Sequence, residues 1–163
     1  MNNPTITERR ATLLETFSAA VASFDSADTL IAAMRSPELS YELSKECVRI
    51  ARAASSEYFL TYRSRDVFVY LALTDADSLS YQAFTELSGL SGQRSYTSYC
   101  IRCYSLLGLA SYDKQAKRFI FNKDNELFRS LYESAKYALE DETLYTAKDQ
   151  ENMRAVVNSG VVL

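Results

Sequence analysis

The stretch from Leu79 to Asp113, LSYQAFTELSGLSGQRSYTSYCIRCYSLLGLASYD, decides the fold of this chain. It contains three of the four glycines in the sequence, Gly89, Gly92 and Gly108. Glycine is favoured where the backbone takes a positive φ or where a neighbouring group packs closely. We therefore expect a short helix to turn at Gly89 and a longer helix to end at Gly108.

Capping serines and the spacing of apolar residues divide this region into three helices and a hairpin. Ser64 and Ser80 are each placed to cap a helix, because a serine hydroxyl accepts a hydrogen bond from the first turn. The residues after Gly108 form two short strands around a polar turn. The predicted elements are helices at 64–74, 81–88 and 93–107, strands at 109–112 and 118–121, and a hairpin tip at 113–117.

Helices are also expected on both sides of this region. Thr5 and Glu8 fit a capping box at the start of a helix that ends near Phe24. Ser36 followed by Pro37 predicts another start, because proline is tolerated in the first turn. The remaining flanking helices are predicted at 29–34 and, capped by Asn122 or Asp124, through about 140.

From Ser64 to Asn122, the order of elements resembles the winged helix-turn-helix superfamily. It runs through a helix, a turn, a Leu-Ser start, a helix, a Gly-Leu-Ser turn, a helix, a Leu-Gly-Leu segment and a hairpin. The resemblance implies a mainly α fold with a small β-wing, in which a recognition helix at 93–107 enters the major groove. The basic wing is then expected at 113–118.

The flanking helices are similar to those of MarR-like regulators, which build a dimer interface from such helices. The wing here is shorter and lacks the aspartate- and arginine-rich motif of that family. The resemblance implies an N-terminal helical extension that dimerises (1–60), the winged unit (64–122), and a C-terminal helix and tail (123–163). The expected partners are duplex DNA and a second copy of the chain, as in a transcription or replication regulator.

The charge of the chain is unevenly distributed, although its formal net value is −3. Residues 90–118 carry a net +4, whereas residues 1–89 carry −4 and residues 119–163 carry −3. A local basic stripe is the electrostatic footprint of a phosphate-binding surface. The acidic flanks are the main argument against DNA binding, and an acidic residue there, such as Glu46, is expected to play no part in it.

Candidate DNA contacts follow if the apolar residues of the predicted helix at 93–107 face the core. With Tyr96, Tyr99 or Cys100, Cys103 and Leu107 inside, the outer face carries Gln93, Arg94, Thr97, Ser98 and Arg102. Glutamine and arginine near the helix start suit base edges, and the later arginine suits a phosphate. In the wing, the residues expected to reach the backbone or a minor groove are Lys114, Gln115, Lys117 and Arg118.

Other classes of function have weaker support. Some winged units bind proteins, so an interaction module without DNA binding is the alternative. The spacing of Cys100 and Cys103 fits a redox pair or half a metal site, but on a helix it favours two small buried residues. The chain has no histidine and no P-loop, GxGxxG, GxSxG or HExxH motif, so no catalytic site, metal or cofactor is expected.

The expected location is the cytoplasm, in association with the nucleoid. Charged residues interrupt every apolar stretch before it reaches the length of a membrane span. The N-terminal residues lack the basic and then apolar layout of a secretory signal. No membrane association is therefore expected.

Overall fold

The computed structural model describes residues 3–22 and 27–158 of the chain. Its described part is mainly helical with a small antiparallel sheet, which confirms the expected fold class at that level. The helices are α1 (Ile6–Ala22), α2 (Ala27–Met34), α3 (Tyr41–Ala53), α4 (Ser56–Phe59), α5 (Arg65–Thr74), α6 (Tyr81–Ser88), α7 (Arg94–Leu106), α8 (Glu126–Glu140) and α9 (Ala147–Asn158). The strands are β1 (Ser78–Ser80), β2 (Ala110–Asp113) and β3 (Arg118–Phe121). None of the helices in these ranges has the length and apolar character needed to cross a membrane.

Local capping explains where several helices begin. The capping box before α1 is confirmed, because the Glu8 amide donates to Thr5 Oγ1 at 3.1 Å and the Thr5 amide donates to Glu8 Oε2 at 2.7 Å. The predicted bounds of α6 are confirmed, and Ser80 Oγ accepts from the Ala83 amide at 3.0 Å. Caps of this kind can be predicted from the sequence because the two hydrogen-bonded residues, Thr5 and Glu8 or Ser80 and Ala83, are only three positions apart.

The predicted start of α3 at Ser36 is wrong. The Ser36 hydroxyl instead accepts from the Glu38 amide at 3.3 Å, which stabilises a turn. The helix begins only after Ser40, whose hydroxyl accepts from the Leu43 amide at 3.3 Å. A serine hydroxyl can accept from an amide two residues later in a turn or three residues later at a helix cap. Ser36 forms the turn and Ser40 forms the cap.

The sheet has one strand more than expected. Its order is β1-β3-β2, with both pairs antiparallel, and β1 joins through the pairing of Leu79 with Phe119. The sequence predicted no strand at Leu79, the residue before the Ser80 cap. A three-residue strand is too short to show the alternation by which strands are recognised, so only its tertiary pairing defines it.

An aromatic cluster joins the buried face of the sheet to four helices, α5, α6, α7 and α8. The rings of Phe84 on α6 and Phe119 on β3 stack at 4.2 Å between centroids, and Tyr104 on α7 meets Phe84 edge-on at 5.5 Å. Phe68 on α5 continues the cluster to Phe128 on α8 at 5.6 Å. Large buried rings of this kind fix the orientation of α7 against the rest of the core.

The helix α8 begins at a different cap from the one expected. Neither Asn122 nor Asp124 caps it; Asn125 does, since its Oδ1 accepts from the Phe128 amide at 2.9 Å. The same side chain uses its Nδ2 to donate to the Leu107 carbonyl at 3.0 Å, at the end of α7. One amide therefore closes one helix and opens the next.

Candidate nucleic-acid interface

The exposed face of α7 is a continuous strip of arginine and serine. The buried positions of the helix and its C-cap are Thr97, Cys100, Cys103, Tyr104 and Leu107. The exposed positions lie within about 100° of one another on the helical wheel and are Arg94, Ser95, Ser98, Arg102 and Ser105. This face contains no carboxylate and presents two guanidinium groups with three hydroxyls between and beside them.

The expected position of Thr97 on the outer face is wrong. Thr97 is 0% exposed, and its hydroxyl donates to the Gln93 carbonyl at 2.9 Å. The buried arc includes Tyr104, and Tyr96 and Tyr99 lie at its edge, half-buried. The helix is thus turned from the expected register so that Thr97 faces the core. Gln93, at the N-cap, is exposed.

The hairpin tip between β2 and β3 is stabilised by its first residue. Asp113 Oδ1 accepts from the amides of Gln115 and Ala116, both at 3.0 Å. Lys114, Gln115 and Lys117 are all exposed. Lys117 has a φ of 53°, in the left-handed region that an L-residue enters at a cost. Because Asp113 Oδ1 accepts both of these amides, the carboxylate of Asp113 stabilises the turn.

The predicted strand at 118–121 is confirmed, so Arg118 lies at the base of the hairpin and not in its tip. It is the first residue of β3, half-buried, and its Nη2 donates to Ser78 Oγ on β1 at 2.7 Å. The pairing of β1 with β3 brings these two residues onto the same side of the sheet. This bond was hidden from sequence reasoning because β1 itself was not predicted.

Two of the expected contacts, Arg102 and Lys114, line the same groove. The groove has a volume of about 590 Å³ and lies between α1, the start of α3, the second half of α7 and β2. Glu38 is its single acidic lining residue. Its apolar lining consists of Leu13, Leu14, Leu39, Leu43, Ile101, Leu106 and Tyr112.

The cations of this surface differ from those elsewhere in the molecule. Within the described ranges, no carboxylate lies within 4.0 Å of four of them, Arg94, Arg102, Lys114 and Lys117. By contrast, Lys123 lies 3.0 Å from Asp75 and 2.9 Å from Asp77. Part of the acidic charge of the flanks is thus matched by neighbouring lysines and arginines, while the α7 face and the hairpin tip keep their positive charge.

A polar network between α3 and the start of α7 was missed by sequence reasoning. Glu46 on α3 is only 2% exposed, and its Oε2 accepts from the Tyr96 hydroxyl at 2.6 Å. Arg49 Nη1 lies 3.2 Å from the same oxygen and also bonds to the Tyr96 hydroxyl. The Arg63 guanidinium lies 4.1 Å above the Tyr96 ring. We call these four residues the Glu46 network.

The network fixes the protonation of Tyr96. Burial and the hydrogen bond to the Glu46 carboxylate raise the pKa of Tyr96 to about 12. Glu46 is consequently a structural partner of α7, and the expectation that it plays no part in DNA binding stays a prediction. The one signal in the sequence is a glutamate on the apolar side of α3 with Arg49 three residues later; its partner Tyr96 is 50 residues away along the chain.

The three cysteines are buried and reduced. The Cys103 thiol donates to the Leu43 carbonyl at 3.5 Å, and the Cys100 thiol lies 3.8 Å from Glu46 Oε1. Burial raises the pKa of Cys100, and the contact with the Cys47 thiol and burial raise that of Cys103. Raised pKa values disfavour the reactive thiolate. Over the described residues, no group of three or more histidine, cysteine or acidic side chains is placed to hold a metal ion.

No protein-family profile, curated protein or solved structure matches this chain.

Proposed function

We propose that the chain is a winged helix-turn-helix protein that binds duplex DNA through α7 and the β2–β3 hairpin. The order α5-β1-α6-α7-β2-β3, with β1 pairing to β3, supports the winged arrangement. The observation that carries the proposal is the exposed arginine and serine face of α7, which has no carboxylate and no acidic partner among the described side chains. The proposal implies a cytoplasmic protein of the nucleoid that regulates transcription or replication.

The chemistry of the α7 face suits the major groove, which is about 12 Å wide and admits a helix. Arg94 lies in the first turn, where a guanidinium can donate to O6 and N7 of one guanine. Gln93, next to it, can make a paired contact with adenine. Ser98 follows one turn later on the same face, and Arg102 follows Ser98 by another, at a distance that suits a phosphate.

The hairpin tip supplies charge without base recognition. Lys114 and Lys117 are exposed and unpaired within the described part of the chain, and Gln115 between them adds a polar group. Each lysine that neutralises a phosphate releases counterions, so it steepens the dependence of affinity on salt by about 0.9 in the logarithmic slope. Arg118, at the base of the hairpin, donates to Ser78 Oγ through Nη2, which leaves its other guanidinium nitrogens as donors for a phosphate.

The proposal is tested by titrating the protein into a fluorescent duplex of mixed sequence, from low to physiological salt. On the tightest-binding duplex selected from a random pool, Arg94→Ala should weaken binding about tenfold or more, which is the range for one lost base contact. Lys114→Gln with Lys117→Gln should lower the salt slope by about 2. The control is Lys148→Ala, an exposed lysine on α9. Absence of binding at low salt would refute DNA binding.

A homodimer is part of the proposal, with α1 as its interface. The apolar side of α1 is uncovered in its N-terminal half, where Ile6 is 65% and Leu14 is 46% exposed. Farther along the helix, Phe17 and Val21 are buried in the core. A helix whose apolar side is only partly covered by its own chain can bury the remainder against a second copy.

The alternative proposal is a module that binds a protein partner. The observation that favours it is the apolar lining of the groove next to Arg102 and Lys114. In that case the basic side chains would border a protein interface, as rim charges do. Duplex binding that depends on Arg94 would exclude the alternative as the main use of this surface.

A further inference from the structure

A second group of basic residues lies on the outer side of α3, away from the residues that the sequence singled out. Two depressions, with volumes of about 360 and 620 Å³, are open at this surface. Arg49 and Arg52 line both of them, so the two depressions adjoin. We call the five basic residues that line them the α3 shelf: Arg35, Lys45, Arg49, Arg52 and Arg63.

The shelf carries more positive charge than the side chains around it neutralise. None of the residues lining the two depressions is acidic. Glu46, beneath the shelf, is buried and pairs with Arg49 alone among the five cations. Within the described ranges, no carboxylate lies within 4.0 Å of Lys45 or Arg52. Like charges on one surface repel each other, and a bound anion relieves that repulsion.

The exposed face of α7 points away from α3. The α7 residues that bond to α3 are Tyr96 and Cys100, which contact Glu46, and Cys103, which contacts the Leu43 carbonyl. At about 100° per residue, these three positions are centred about 160° around α7 from the centre of the exposed arginine and serine face. A duplex that lies against Arg94 is therefore on the far side of α7 from α3.

The shelf in turn faces away from α7. On α3, the residues that contact α7 in this way are Leu43 and Glu46. Lys45 and Arg52 lie about 100° or more around α3 from both of them. Both cations are exposed. The two basic surfaces therefore open on different sides of the α3–α7 pair.

One straight duplex cannot lie against both surfaces. The axes of packed helices are about 8–10 Å apart, and their side chains add to this thickness. Duplex DNA stays nearly straight over lengths far below its persistence length of about 150 base pairs. A duplex that touched both surfaces would have to bend sharply around the two helices. DNA on the shelf is thus a separate segment from DNA on α7.

The spacing of the shelf cations suits a nucleic-acid backbone. Lys45, Arg49 and Arg52 are related by steps of four and three residues, so they lie on one face of α3. From Lys45 to Arg52 the helix rises about 10 Å, at about 1.5 Å per residue. One strand of duplex DNA carries about three phosphates over that length, at about 3.4 Å each. An extended polyanion can therefore contact several shelf cations at once, which a single phosphate group cannot.

We propose that the α3 shelf binds the phosphodiester backbone of a second duplex segment, so that one protein molecule bridges two segments of DNA. This inference rests on the proposed function, which places the first segment against α7. The shelf makes phosphate contacts only, so it holds the second segment whatever its sequence. Arg94 and its neighbours on α7 select the first segment.

The test measures the capture of one duplex by another. A duplex selected for tight binding is fixed to beads, the protein is added, and the retention of a fluorescent duplex of mixed sequence is measured from low to physiological salt. Lys45→Gln with Arg52→Gln removes two shelf cations that are outside the Glu46 network. Lys148→Gln with Arg154→Gln removes two exposed cations from α9 as the matched control.

The native protein and the control should both retain the fluorescent duplex. The shelf variant should retain less of it, and the logarithmic salt slope of retention should fall by about 2, from about 0.9 per lost phosphate contact. Its affinity for the selected duplex alone should not change, because that duplex is held by α7. The unchanged affinity also shows that the shelf variant is folded.

The outcomes separate the bridge from the proposed function. If the native protein binds the selected duplex through Arg94 but retains no second duplex, or if the shelf variant retains it as well as the control, the inference is wrong and the proposed function stands. Unchanged retention is the result expected if a homodimer bridges through its two α7 helices, or if the shelf holds an acidic protein.

Two further results would overturn the inference. If the shelf variant loses affinity for the selected duplex alone to the same degree as it loses retention, the shelf is not a separate site. If the native protein does not bind duplex DNA at low salt, the inference and the proposed function are both wrong.

Discussion

At the scale of single residues, Tyr96 links the core to the candidate interface. Its hydroxyl donates to a buried carboxylate, and its ring carries the guanidinium of Arg63. Only the neutral phenol can donate to Glu46, so ionisation of Tyr96 would place two negative charges in contact. The start of α7, and with it Arg94, is therefore held by a group whose protonation can be measured.

The raised pKa of Tyr96 predicts a loss of stability at high pH. The pKa of Tyr96 is about 10 in the unfolded chain and about 12 in the folded protein. The contribution of Tyr96 to the free energy of unfolding is thus fully present below about pH 10 and is lost as the pH rises through about 12. Urea unfolding at a series of alkaline pH values measures it. The difference between the native protein and Tyr96→Phe should shrink over this window; a constant difference would contradict the assignment.

A second prediction concerns Gly108, at the end of α7. Its φ is +70°, and a Cβ there would lie 2.8 Å from Asn125 Nδ2. Gly108→Ala should cost about 1 kcal/mol for the left-handed backbone. It should cost about 1 kcal/mol more for displacing the cap of α8. Gly89→Ala is the control, since Gly89 has the same φ and nothing within 4 Å of its Cβ position. Denaturant unfolding should find Gly108→Ala less stable than Gly89→Ala, and equal losses would refute the role of Asn125.

The residue scale also shows what the sequence could and could not predict. Of the two reasons for which glycine was expected at these positions, a positive φ or close packing, Gly89, Gly92 and Gly108 all show the positive φ. The burial of Thr97 was not expected, because a helix with tyrosines and cysteines spread around it allows more than one inward face. Neighbours from α3 select the face, and they are about 50 residues away in the chain.

At the scale of elements, the β2–β3 hairpin combines two separable properties in Lys117. The residue adds charge at the tip, and its left-handed φ of 53° strains the backbone. Lys117→Ala and Lys117→Gly both remove the charge, but only glycine removes the strain. Lys117→Gly should therefore be more stable to denaturant than Lys117→Ala by about 1 kcal/mol in the free energy of unfolding.

DNA titration provides the second readout for this pair of variants. Both should lower the logarithmic salt slope by the same amount, about 0.9, because both lose one cation. If the more stable glycine variant also recovered the native slope, the effect of Lys117 would arise from the shape of the hairpin and not from its charge.

The helices and strands were predictable to different degrees for one physical reason. Elements defined by a local bond, such as α1 with Thr5 and α6 with Ser80, were predicted correctly at their starts. Where two serines compete, as before α3, the sequence does not reveal which one forms the cap. The strand β1 exists because β3 pairs with it, so no pattern of its own marked it.

At the scale of the whole molecule, the dimer proposed through α1 can be tested by one substitution. Leu14→Glu places a carboxylate on the partly uncovered apolar side of α1, and it should convert a dimer to a monomer in sedimentation experiments. Thr12→Glu adds the same charge at an exposed position on the opposite side of the helix and should leave the dimer intact. A native protein that sediments as a monomer would contradict the interface.

The relation between distant parts of the chain was the least predictable feature. The buried apolar residues of the N-terminal, central and C-terminal segments form one cluster in the described structure. The packing of α3 against α7 creates the Glu46 network. It brings Glu46 and Arg49 of the N-terminal helices into contact with Tyr96, which is about 50 residues away along the chain.

The double use of the Asn125 side chain has a mechanical consequence. Its Oδ1 accepts from the Phe128 amide in the first turn of α8, and its Nδ2 donates to the carbonyl of Leu107, the C-cap of α7, so one side chain joins the two helices. A displacement of α7 is therefore transmitted to α8 directly through Asn125, as well as through the β2–β3 hairpin that connects the two helices along the chain. Hydrogen exchange at the Phe128 amide should slow when a ligand occupies α7, and it should stop responding in Asn125→Ser, which keeps a capping oxygen but releases the carbonyl of α7.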